Sequence, residues 1–454
     1  VTDGDELLAT AEGVVARARA GEEVEAYVAR GHETEVRAYA GQVESLASAT
    51  SAGVGVRVLL PGPQGPRVGF AWAGSLDPEV VTATLEEARD NAGFATPDPD
   101  LALAVPDGVA PATLDLVDPS LEGTPTEDKI ALALDLEAAV RRADSRIRQV
   151  DSADYGDEAS AVALASTTGV RAVSRRTGAF LSVSAIAGEG GGSQTGSGFT
   201  VGRGPAALDP PRAEREAVER TLRLLGATKV PSTKGTVVFD PRVVSTLLSV
   251  LSPALSGEAV VKGRSFFAGR LGQSVAVPAL TLVDDPTDPR AFGAGAFDGE
   301  GLACRRNVLI EDGRLAAFVY DTVSARRAQT ASTGSAVRGG FAGTPGAGCR
   351  ALSLAPGDLD QAQILAAVGS GLYVQSVTGV HSGVNPVSGD FSVGAEGLLI
   401  EGGTLGRPVR EVTVASTLQR MLQAVVHVGA DLEWLPGVAA GQTLAVADMQ
   451  ISGD

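Results

Sequence analysis

The sequence predicts an α+β protein, with helix and antiparallel-meander units first and a β-rich C-terminal domain after them. Three observations lead there. Apolar residues in the first half recur mostly with period two, bracketed by stretches of helical spacing. That order of helix, meander and helix occurs twice. From residue 231 onward the texture changes to short apolar runs between glycine-rich turns.

Residues 5–20 place Leu7, Leu8, Ala11, Val14, Val15 and Ala18 on one helical face, and Gly21 is a natural stop. The runs VEAYVA (24–29), TEVRAYA (34–40), VESLAS (43–48), GVGVRVLL (53–60) and VGFAWA (68–73) alternate as strands. His32 then falls at a strand-joining turn. Asp77 and Pro78 supply an N-cap and a first-turn proline for a helix to about Asn91. Residues 1–93 thus read as one α+β unit. Residues 94–125 hold six prolines and little periodicity, as expected of a linker or extended arm.

The pattern recurs over 126–230. A helix spans Thr126 to Ala143, strands follow at 145–156, 159–167, 171–187 and 196–202, and Asp209-Pro210-Pro211 opens another helix. The shared order suggests two related units, although their residue identity is too low to establish duplication. Residues 231–454 read as the β-rich domain. There TVVFD (236–240) leads into a helix over 241–255, and a last helix runs from Thr417 to Val426 with His427 near its end.

Composition narrows the function. A net charge of −18 argues against non-specific nucleic-acid binding, which needs basic surface to displace counterions from phosphate. No apolar run reaches membrane-spanning length and no basic-then-apolar leader opens the sequence, so a cytoplasmic protein is expected. The two cysteines, Cys304 and Cys349, form no metal or redox spacing.

The most informative stretch is GVNPVSGDFSVGAEG (383–397), where glycines and an Asn-Pro pair surround Asn385, Ser388, Asp390, Ser392 and Glu396. Flanking apolar runs make it two strands joined by special turns. By spacing alone it is a structural turn cluster, because it holds no standard nucleophile–base pair. His381, just before it, is the histidine best placed for chemistry, with Ser382 and Asp390 near in sequence. We take His381, Asn385, Ser388, Asp390 and Ser392 as candidates to line a chamber or contact a partner, with no catalytic or metal-binding residue assigned.

This stretch closely resembles the C-terminal signature of the TldD/PmbA family. Further matches follow in KGRSFFAGRLGQSVAVPALTLVDDP (262–286), FDGEGLACRRNVLIEDGRL (297–315), SARR (324–327) and GRPVREVTVAST (406–417). The family's catalytic branch carries a His-Glu-x-x-x-His helix that binds zinc, with the glutamate as general base, and a cysteine near the C-terminus. In this chain the histidine positions fall near Ser249 and Ala254 and the glutamate near Val250. The segment 436–446 has no cysteine. Independently of alignment, the three histidines are His32, His381 and His427, so no helical pair can form such a site.

The resemblance therefore implies the PmbA-like (TldE-like) non-catalytic member. It would pair with a zinc-bearing TldD-like subunit to cleave unfolded or small peptides, possible peptide natural-product maturation included. No cofactor is expected in this chain, and a homodimer is expected if the partner is absent. Two rivals stand beside this: a stand-alone metal-independent hydrolase using Asp390, Ser388 or Cys304, and a peptide-binding or regulatory module without proteolysis. The acidic group Asp284, Asp285, Asp288, Asp298 and Glu300 reads as solvated loop. GEGGGSQTGSG (188–198) lacks the Lys-Ser/Thr of a P-loop and reads as a hairpin tip. GGFAGTPGAG (339–348) reads as a mobile loop at a subunit contact.

Overall fold

The computed structural model describes residues 4–188 and 192–453. Its first half is one antiparallel six-stranded sheet in the order β3-β2-β1-β4-β5-β6. The strands are β1 (Glu23–Tyr39), β2 (Gln42–Leu60), β3 (Arg67–Ala73), β4 (Ile147–Ser166), β5 (Arg171–Ala187) and β6 (Gln194–Gly202). The two helix–meander–helix units join along β1 and β4, from Glu25 opposite Ser166 to Ala38 opposite Ala153. All four helices cover one face: α1 (Gly4–Val15) and α2 (Pro78–Phe94) for the first unit, α3 (Thr126–Ala143) and α4 (Pro210–Leu222) for the second.

Period two explains this. Val24, Ala26, Val28, Val36 and Ala38 of β1 point at the helices and are buried, leaving Tyr27, Ala29, Gly31 and Glu33 on the opposite face. Glycine permits the closest helix–strand approaches. A Cβ on Gly69 of β3 would lie 2.0 Å from the Ala88 carbonyl of α2, and one on Gly198 of β6 would lie 1.9 Å from the Ala213 carbonyl of α4. The same contact thus recurs in both units.

Several expectations are corrected. The four strands expected between 24 and 60 are two, because pairing runs unbroken through Gly31, His32 and Glu33 to Ser51, Thr50 and Ala49. His32 is accordingly mid-strand, between Thr50 and Ala159, and not at a turn. The strands expected at 145–156 and 159–167 likewise merge into β4. Residues 94–125 are an ordered arm. Leu103, Ala104, Leu116 and Leu121 are buried, and Asp98 and Asp107 pair with Arg327 and Arg305 of the C-terminal domain.

That domain is organised around a second six-stranded sheet, β16-β15-β14-β7-β20-β17, closed by pairing of β16 with β20 into a barrel-like ring. Its members are β7 (Thr233–Phe239), β14 (Gly371–Thr378), β15 (Asp390–Glu401), β16 (Thr404–Thr417), β17 (Val425–Val428) and β20 (Leu444–Ser452). Between them lie β8 (Leu282–Asp284), β9 (Asn307–Glu311), β10 (Arg314–Leu315) and β13 (Leu352–Leu354) in a small sheet, and the ribbons β11 (Ala336–Val337) with β12 (Gly346–Ala347) and β18 (Glu433–Trp434) with β19 (Ala440–Gly441).

The helix α5 (Pro241–Leu251) buries Val243, Val244, Leu247, Leu248 and Leu251 in the largest core cluster, together with Phe239, Phe391 and Val446. Asp240 caps it by accepting from the Arg242 amide. Regular helix ends at Leu251 and a 3-10 turn continues over Ser252–Leu255, ahead of α6 (Gly257–Val261). Short helices α7 (Thr322–Arg327), α8 (Gln361–Val368), α9 (Val380–Gly383) and α10 (Leu418–Gln423) complete the domain. The last helix is shorter than expected, and His427 lies on β17, paired with Ala445. Of the 188–198 segment, 194–198 is strand β6, while 189–191 lie outside the described residues.

Candidate functional site

The 383–397 cluster is a folded turn. Asn385 Oδ1 accepts from the amides of Val387 (2.9 Å) and Ser388 (3.2 Å), and Ser388 Oγ donates to Asp390 Oδ2 at 2.7 Å. Gln419 of α10 donates to the Ser388 carbonyl. His381 sits on the single turn α9, and among the described residues no hydrogen bond joins it to Ser388 or Asp390. His381, Asn385, Ser388, Asp390 and Ser392 are all exposed. The cluster forms a hydrogen-bonded rim; it does not assemble a nucleophile, a base and an orienting group.

The helix position that would carry zinc does not fit the metal. Ser249 Oγ donates to the Ser245 carbonyl one turn back, Val250 is packed against the core, and Ala254 is buried on the 3-10 turn. None offers an imidazole, thiolate or carboxylate. Among the described residues no group of three or more His, Cys, Asp or Glu could hold a metal ion.

A cavity of about 500 Å³ lies where the helix-free face of the N-terminal sheet meets the C-terminal domain, within the range usual for ligand sites. Its floor is side chains from β1, β4 and β5, among them Tyr27, Glu33, Glu158, Ser160 and Arg176. Its roof is main chain at Gly293, Gly299, Gly301, Gly340 and Gly437, with Arg338 and Arg350. The floor mixes its polar groups with the apolar Ala29, Val162, Leu164 and Ala172, and under the glycine-rich roof it offers side-chain charge on one side and backbone groups on the other. Cys349 on the wall is in turn hydrogen-bonded to Ser252, in the 3-10 turn after α5. Cys349 thus stands between the cavity and the 3-10 turn that follows α5.

Beneath it runs a buried chain of charge. Glu25 binds both Arg57 and Arg338, whose side chains are at most 7% exposed. Burial opposes ionisation of Glu25, but Arg338 and Arg57 outweigh it and hold its pKa at about 2. Glu300 accepts from the amide and hydroxyl of Thr322, while its Oε1 has no hydrogen-bond partner and lies 3.6 Å from Arg57. Because Arg57 is already engaged by Glu25, burial dominates and raises Glu300 to about 7. Asp298 is also raised by burial, against the amides of Ala336, Glu300 and Leu302 that it accepts from. Asp284 is buried and raised to about 6. The expectation of a solvated acidic loop thus fails for Asp284, Asp298 and Glu300, which are buried. The first two accept amides of their own domain, and Glu300 faces Arg57 of the N-terminal sheet.

Cys304 is no activated thiol: burial raises it to about 12 despite the nearby Arg350. The loop 339–348 packs within the chain, with Phe341 6.0 Å from the ring of Trp72. Sequence reading missed the cavity floor altogether. The available signal was the odd-numbered register of β1, which keeps Glu25, Tyr27 and Glu33 in phase opposite the apolar residues.

Two folded halves, the second a barrel-like domain, meet over a cavity, and this architecture is that of a known family. The chain belongs to the PmbA/TldD metallopeptidase family: its domain 1 matches residues 24–92, its central domain 119–225 and its C-terminal domain 232–453. Metalloprotease PmbA of Escherichia coli O157:H7 is 29% identical over 416 residues, 91% of this chain and 88% of that protein. A metalloprotease TldD homolog of Haemophilus influenzae is 28% identical over 82% of this chain and 78% of its own length. Among solved structures, TldE of Thermococcus kodakarensis superposes with a TM-score of 0.88 at 23% identity over 99% of both chains, a likeness of fold. A Bacteroides thetaiotaomicron protein described as a proposed modulator of DNA gyrase gives 0.86 at 27% identity over 100% of both.

Proposed function

We propose that this chain is the non-catalytic, TldE-like subunit of a heterodimeric zinc metallopeptidase acting on unfolded or small peptides in the cytoplasm. A TldD-like partner supplies the zinc, the base and the attacking water. This chain supplies part of the chamber wall and of the subunit interface, with the exposed rim of His381, Asn385, Ser388, Asp390 and Ser392 as a partner-facing element. Without that partner, two copies pair through the same surface.

The observation that carries the reading is α5 with the 3-10 turn after it, where Ser249, Val250 and Ala254, near which the resemblance places the family's metal positions, are committed to helix bonding and packing. The cavity between the two halves supports a role in holding peptide. Co-purification with a TldD-like relative tests the proposal. The expected result is a one-to-one complex with zinc lost on removal of the relative and none retained by this chain. Chelator-resistant peptidase activity of this chain alone would overturn it.

The cavity, beside which no activated nucleophile stands among the described residues, also favours a second reading as a peptide-binding module. It predicts peptide binding with no turnover after the zinc subunit is added.

A further inference from the structure

We propose that a second cavity, between β2 and α7, binds a free zwitterionic α-amino acid with an aliphatic side chain. Arg57 takes its carboxylate and Asp321 its ammonium. The inference goes beyond the peptidase reading and does not depend on it.

This cavity measures about 200 Å³ and shares no lining residue with the larger one. Sites for drug-sized ligands run from about 300 to 1,000 Å³, so its occupant is small. The loop 339–348 contributes to both: Gly340 and Phe341 line the larger cavity, and Thr344, Pro345 and Gly346 the smaller. Two charged side chains in its wall are more than nine-tenths buried, Arg57 and Asp321, each 6% exposed.

Arg57 stands opposite Glu25 across the strands and gives it Nε and Nη2. Its Nη1 has no hydrogen-bond partner among the described residues and, unlike the sealed Glu300 Oε1 nearby, is open to this cavity. Asp321 caps α7, and its Oδ1 accepts from both the amide and the hydroxyl of Ser324. Its Oδ2 has no partner among the described residues and is likewise not sealed.

The two residues flank Glu300. Glu300 Oε2 accepts from the amide of Thr322, next to Asp321, while its Oε1 lies 3.6 Å from Arg57 Nη2. Among the described residues no ion pair joins Arg57 to Asp321. One cationic donor and one anionic acceptor therefore face the same small space without meeting. Leaving either unmet is costly when it is this buried. A zwitterion satisfies both at once, whereas a simple anion or cation satisfies one.

The rest of the lining sets the side-chain class. Leu59 and Val68 pair across β2 and β3, and Leu101, Val323 and Pro345 complete an aliphatic wall. The other charged lining residues are already engaged, Glu258 by Lys262 and Arg327 by Asp98.

The test is calorimetric titration of the full chain with L-leucine, leucinamide, N-acetylleucine and N-acetylleucinamide. Leucine is expected to bind about tenfold tighter than leucinamide or N-acetylleucine, each of which lacks one charge. Asp321→Asn keeps an oxygen to cap α7 and replaces the open one by an amide nitrogen. It is expected to weaken leucine about tenfold, to leave N-acetylleucine unchanged and to keep the melting temperature. Ala102→Leu, at a partly exposed position in the lining, fills the cavity and is expected to abolish leucine binding.

Leucine bound no more tightly than N-acetylleucinamide would overturn the zwitterion assignment. Leucine binding that survives both substitutions would lie elsewhere on the chain and would overturn the site. Silence from all four compounds would leave a cavity that holds only water, and would overturn the inference as well.

Discussion

A buried thiol ionises reluctantly, and Cys304 and Cys349 are both buried. Neither should react with iodoacetamide at pH 8 in the folded protein, and both should react after denaturation. Fast native alkylation of Cys304, followed by mass spectrometry, would revive it as a nucleophile. Glu300 gives a second test. Its folded pKa of about 7 exceeds the ordinary 4.5, so the folded state holds that proton more tightly than the unfolded one. Its contribution to stability is complete below pH 4.5 and is lost as pH rises through 7. Glu300→Gln should therefore gain in melting temperature relative to the parent as pH rises from 5 to 8, and a constant offset would contradict the assignment. Asp284, raised from 3.8 to about 6, has the same sign, whereas Glu25, lowered to about 2, adds stability above 4.5 that is lost toward pH 2. These roles were not legible in the sequence. Acidic residues in a chain of charge −18 suggest solvation, and the amides of Ala336, Ala351 and Thr322 that capture them come from distant segments.

At the level of elements, Asp240 ties three pieces together. It caps α5, receives Arg220 of α4 at 2.7 Å and accepts from the Tyr373 hydroxyl of β14 at 2.6 Å. Replacing it with Ala removes a cap and strands a largely buried guanidinium, at a cost of about 3–4 kcal/mol. Chemical denaturation measures this directly, and a loss below about 1 kcal/mol would show the junction to be incidental. Such elements were partly legible. Asp77-Pro78 and Asp209-Pro210 marked helix starts correctly because the fixed φ of proline is local. Of the two aspartates, Asp209 makes the expected capping bond, accepting from the Arg212 amide, and Asp77 makes none. The long strands were not, since polar residues such as His32 and Glu33 resemble a turn until β2 and β4 pair on either side. The helix expected to 255 ends at Leu251, with Pro253 in the 3-10 turn that follows.

For the whole molecule, the fold class followed from periodicity, and the family from the C-terminal motifs. The joining of the two N-terminal units into one sheet, and the cavity that this sheet forms with the C-terminal domain, depend on long-range pairing that no local pattern encodes. The central claim is that chemistry resides in a partner and enclosure is shared. Its most direct test is hydrolysis of an unfolded peptide by this chain, by a zinc-bearing TldD-like relative, and by the two mixed, with zinc measured in each. The account predicts cleavage in the mixture alone, with zinc absent from this chain. Turnover by this chain alone, free of metal, would contradict it.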